Sequence, residues 1–125
     1  MKKLVVVLAV VFLFVGISIA GNVTLTSDEP TTNENGTDLN DLAKIQFYYR
    51  LADDVWTSCG TVPATSPQGG GSVTTPCLLP DDLQEDVDFK ANACDLSGNC
   101  SVDSEIATEP IDTVSPSPPS CRLNK

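Results

Sequence analysis

The chain has 125 residues, with 17 Asp and Glu against 7 Lys and Arg, and a formal charge of −10. A balance that acidic argues against nucleic acid and anionic membrane surfaces as partners. Histidine is absent, which removes the commonest general base and metal ligand.

Met1-Lys2-Lys3 is a short basic start, and Leu4 to Ile19 is apolar apart from Gly16 and Ser18. At 16 residues this run is shorter than the roughly 20 that a spanning helix needs. Ser18-Ile19-Ala20 supplies a small-x-small pattern, so residues 1–20 read as a secretory signal peptide cut before Gly21. The expectation is a secreted protein, extracellular or at the cell surface, with no stable membrane insertion after cleavage. Loss of Lys2 and Lys3, with no acid, moves the formal charge from −10 to −12. What remains is about one small domain long.

Asn22 to Asp28 predicts a strand with Val23 and Leu25 inward. Residues 29–40 are rich in Pro, Thr, Asn, Glu and Gly and read as a loop. Lys44 to Arg50 predicts a strong strand. Ile45, Phe47 and Tyr49 share one face; Gln46, Tyr48 and Arg50 share the other. After an Asp53-Asp54 turn, Val55 to Cys59 reads as a short strand carrying Trp56. Residues 60–72, with Pro63, Pro67 and Gly69-Gly70-Gly71, read as a flexible connection that buries little. Val73 to Leu79 is a strand that Pro76 assigns to an edge. Asp81 to Glu85 reads as an acidic turn. From Val87 the residues alternate again: Val87, Phe89, Ala91 and Ala93 on one face, Asp88, Lys90, Asn92 and Cys94 on the other. A Ser97-Gly98-Asn99 turn follows, then a second strand from Cys100 towards Ala107. Ile111 to Val114 adds a last strand. Residues 115–125 have the Pro/Ser composition of a tail or linker. The domain is thus placed at 21–114.

Three pieces of this chain carry a resemblance. Ile45 to Arg50 followed by Trp56 looks like a central strand and the aromatic after it. Phe89 to Ser101 looks like a penultimate strand, turn and final strand. Ile111 to Pro119 looks like an exit segment leading to another module. Together they resemble the fibronectin type III-like and bacterial immunoglobulin-like extracellular modules. The resemblance implies an all-β, immunoglobulin-like antiparallel β-sandwich. In such modules a strand precedes the one that Val23 to Thr26 resembles, and here that place falls within the apolar leader. The expected sandwich therefore lacks its first strand. That leaves an open sheet edge, to be covered by the C-terminal segment or by a partner strand.

Export makes disulfides expected for the five cysteines. Cys94 and Cys100 flank a hairpin turn and are expected to bridge. Cys59 and Cys77 then form the second pair. Spacing alone leaves other connectivities open. Cys121, beyond the proline run, is left unpaired and offers a route to a disulfide-linked dimer. No Cys-x-x-Cys occurs, so no metal site is assigned. Asp81, Asp82, Glu85, Asp86 and Asp88 cluster, but without a calcium-loop spacing they read as a solvated acidic face. Asn35, Asn22 and Asn99 each head an Asn-x-Ser/Thr triplet and are glycosylation candidates, Asn35 being the most accessible. Phe47, Tyr49, Trp56 and Phe89 are assigned to the core, and Tyr48 to the outer face.

No serine has a histidine partner, and no carboxylate pair is fixed at a glycosidase separation. Neither catalytic residues nor cofactors are therefore assigned. The reading is a non-catalytic module for adhesion, spacing or protein recognition, with a protein or glycan at the cell surface as partner. The competing readings are a carbohydrate-binding accessory module of a secreted hydrolase and a small calcium-dependent binding protein.

Overall fold

A computed structural model describes residues 12–17, 22–52 and 54–124. It is all-β among those residues. Seven strands run β1 Phe12–Ile17, β2 Asn22–Asp28, β3 Leu42–Leu51, β4 Thr57–Pro63, β5 Ser72–Leu78, β6 Gln84–Asp95 and β7 Ala107–Asp112. They form two antiparallel sheets, ordered β1-β2-β5 and β4-β3-β6-β7.

The core follows from period-two alternation. β2 turns Val23 and Leu25 inward, β3 Ile45 and Phe47, β5 Val73 and Cys77, and β6 Val87, Phe89, Ala91 and Ala93. Phe47 and Phe89 are fully enclosed, and each such ring stabilises the fold by roughly 1.5–3 kcal/mol relative to exposure. Leu39, Leu42, Leu79, Leu83 and Ile111 complete the same cluster. The Cys59–Cys77 disulfide joins β4 to β5 and so ties one sheet to the other along one side of the sandwich.

Several expectations are corrected. The edge expected to be open after cleavage is occupied in the full chain, where β1, from the apolar leader, pairs with β2 along six residues, from Phe12 opposite Asp28 to Ile17 opposite Val23. Met1-Lys2-Lys3, the Ser18-Ile19-Ala20 cleavage pattern and Asp53 lie outside the described residues. Trp56 precedes β4 rather than sitting in it. Residues 81–82 are a bend with Asp82 at φ 61°, and β6 starts at Gln84, three residues before the expected Val87. The hairpin after Cys100 does not continue as a strand; regular pairing resumes only at Ala107.

The gap has a physical cause. Opposite Ala93 and Ala91, the Ser101 and Ser104 hydroxyls replace backbone carbonyls as acceptors. The Ala93 N–H donates to Ser101 Oγ at 3.0 Å, and the Ala91 N–H to Ser104 Oγ at 2.9 Å. In return the Ser101 and Ser104 N–H groups each donate at 2.7 Å to the carbonyl of the same alanine. Every β6 amide there is satisfied, but by an irregular partner.

The glycine-rich connection is tethered, not flexible. Glu29, 5% exposed, accepts the Thr65 N–H at 2.7 Å, the Thr65 hydroxyl at 2.6 Å and the Gly71 N–H at 3.0 Å. Gly69 has φ +70°, and a Cβ there would overlap the Pro30 carbonyl oxygen, so glycine is required at that position.

Candidate functional site

The outer face of the four-stranded sheet carries the chain's concentrated polar and aromatic chemistry. Alternation on β3 and β6 sets Gln46, Tyr48 and Arg50 outward beside Asn92, Lys90 and Asp88, each pair directly opposite in register. Lys44, Arg50 and Lys90 are the only cations between Gly21 and Ser120. Two of the three converge on Trp56. The Arg50 guanidinium lies 4.4 Å from the indole centroid and the Lys90 ammonium 4.3 Å. Lys90 also stands 5.6 Å from the Tyr48 ring.

Both cations at the indole are paired. Arg50 donates to Asp88 Oδ2 through Nη2 at 2.7 Å and Nε at 3.2 Å. Lys90 donates to Asp103 Oδ2 at 2.7 Å. The other Asp88 oxygen accepts the Thr108 hydroxyl at 2.7 Å. Thr108 foremost, then Arg50, holds the Asp88 carboxyl below its ordinary value. The patch is therefore locally neutral on an acidic chain, with a half-buried indole at its centre.

Trp56 is the principal departure from the expected core. Phe47 and Phe89 are buried and Tyr49 packs partly against the core, whereas Trp56 lies outside. Tyr48 faces out as expected, and its hydroxyl donates to Gln46 Oε1 at 3.0 Å. The sequence marks Trp56 as core, not as surface, and gives no sign of Asp103 and Thr108, the partners of Lys90 and Asp88. The available signal was the placement of Arg50 and Lys90 on alternate, outward positions in an otherwise acidic domain.

The cysteines group separately. Cys94 and Cys100 are bonded across a β-bridge at the mouth of the turn. Cys94 belongs to the outer face but is 1% exposed, covered rather than open, with Gln46 Oε1 3.4 Å from its sulfur. Asp95 is committed to the turn, accepting the N–H groups of Ser97 and Asn99, each at 2.9 Å, and the Asn99 amide at 3.2 Å. The Asn99 backbone bond leads these in holding its carboxyl below the ordinary value. Cys121 is a free, exposed thiol.

The three Asn-x-Ser/Thr asparagines differ in setting. Asn35 is at an exposed loop tip, where its Oδ1 accepts from the Thr37 N–H at 3.0 Å and the Thr37 hydroxyl at 2.6 Å. Asn22 Oδ1 is buried, and Asn99 is held in the disulfide-closed turn. Of the acids once grouped, Asp88 lies on the sheet face, whereas Asp81 and Asp82 lie in the bend before β6. No three metal-ligating side chains come together among the described residues. No helix there is long and apolar enough to cross a membrane.

No family model matches the chain, and no curated protein matches it. The two disulfides within the chain are chemistry of an oxidising compartment.

Proposed function

We propose that the chain is a secreted, non-catalytic module of the fibronectin type III-like or immunoglobulin-like kind that recognises a protein at the cell surface. The strand order supports the fold assignment: two antiparallel sheets around one core, of which the form cut before Gly21 keeps β2-β5 and all of β4-β3-β6-β7. The single observation that carries the recognition role is Trp56. A tryptophan left half-exposed, beside Tyr48 and Arg50, is the composition of a protein-binding hot spot. Local charge neutrality lowers the cost of desolvating the patch against a partner.

A sugar platform has less support. Stacking needs an open aromatic face, and the Trp56 ring is already covered in part by Arg50 and Lys90.

The test is binding of labelled wild-type and W56A protein to an array of extracellular protein domains and to a glycan array. The expected result is a protein ligand whose affinity falls at least about tenfold in W56A, as for a hot-spot residue, with melting temperature little changed. Binding confined to glycans, or protein binding indifferent to W56A, would remove this reading.

A further inference from the structure

The strand that completes the three-stranded sheet comes from the segment that the sequence marks for removal. Cutting before Gly21 takes β1 away and bares β2 along Val23–Asp28. We propose that in the exported protein this edge is a strand-acceptor groove. Its occupant is an extended segment of a partner polypeptide, uncharged or basic, with apolar residues at alternate positions, running antiparallel to β2. The proposal rests on leader removal and does not depend on the Trp56 patch.

Four observations define that occupant. First, the β1 register sets Leu13, Val15 and Ile17 opposite Ser27, Leu25 and Val23, all three of which are buried. Leu13 packs against the core. An alternating apolar strand is thus what the groove accommodates. Second, the other sheet edges are blunted by proline: Pro63 in β4, Pro76 in β5 and Pro110 in β7. β2 has no proline and no charge except Asp28 at its end. Third, β1 approaches β7 of the facing sheet within 8 Å, Cα to Cα, so the groove is one strand wide. Fourth, residues 115–120 do not match that occupant: they read Ser-Pro-Ser-Pro-Pro-Ser, without apolar alternation and with the backbone N–H missing at Pro116, Pro118 and Pro119. The acidic charge of the mature chain adds the preference against an acidic donor.

The test uses the protein as a secretory host exports it from the full chain. Intact mass fixes its N-terminus. The probe is a synthetic peptide of residues 11–18 between lysine pairs, with a Val15→Pro peptide as control. The expected result is a product starting at Gly21 whose β2 amides exchange freely and slow by about tenfold or more with the probe, β6 being unchanged and the proline peptide inert. A product that retains residues 12–17 overturns the proposal. So does a β2 already as protected as β6 without peptide, or one the probe leaves unchanged. W56A binding is unaffected by any of these outcomes, so the two readings fail separately.

Discussion

Glu29 shows how one side chain can order two loops. Its carboxylate serves three donors from Thr65 and Gly71, and its own N–H reaches the Gly71 carbonyl at 2.9 Å. E29Q keeps the shape but turns an amide NH2 towards these donors. The expected cost is about 1.5–3 kcal/mol, the range for hydrogen bonds to a charged group, read as a lower urea midpoint at unchanged slope. Asp88 gives the pH counterpart. Its folded-state pKa is depressed below the ordinary 3.8, so its contribution is fully present above that value. It is lost as pH falls through the lower folded-state value. The pair is three-quarters enclosed at best, with side-chain exposures of 28% and 24%, so screening keeps its worth small. D88N is expected to cost about 0.5–1 kcal/mol at pH 7, and the difference from wild type to vanish in acid below the folded-state pKa. A difference that persists unchanged in acid would assign the effect to packing.

At the scale of elements, the irregular return from the turn to β7 is held by serine side chains. S104A removes the acceptor of the Ala91 N–H. The expected loss is about 1–2 kcal/mol, with faster exchange at Ala91 than at Phe89, whose pairing with Ala107 is regular. The strands with alternation, β2, β3 and β6, are legible in the sequence because buried residues recur at every second position over much of each strand. The stretch 101–106 was not, because Val102 and Ile106 suggest a strand yet both stay exposed. What decides there is hydrogen bonding by Ser101 and Ser104, which propensity does not register. Trp56 was misplaced for a related reason. Its size suggests core, but it stands outside the alternating strands, where Arg50 and Lys90 give it a surface to cover. The tethered connection was hidden because a buried carboxylate in a polar loop looks like any exposed one until its donors, 36 and 42 residues away, are known.

For the whole molecule, the two disulfides do unequal work. Cys59–Cys77 spans 18 residues and joins the sheets, whereas Cys94–Cys100 spans six within one hairpin. Loop entropy predicts losses of about 3 kcal/mol for C59S/C77S and about 2 kcal/mol for C94S/C100S, read from denaturant midpoints. Equal losses would point to strain or residual structure in the unfolded chain. Both bridges also enclose exposed surface. Residues 65, 67, 68 and 70 lie inside the first loop and residues 96–99 inside the second. A protease cutting the folded protein at either place would sever the backbone yet release nothing, since the severed ends stay covalently joined through sulfur. Such a nicked molecule would keep its mass apart from one added water, and its fragments would separate only after reduction.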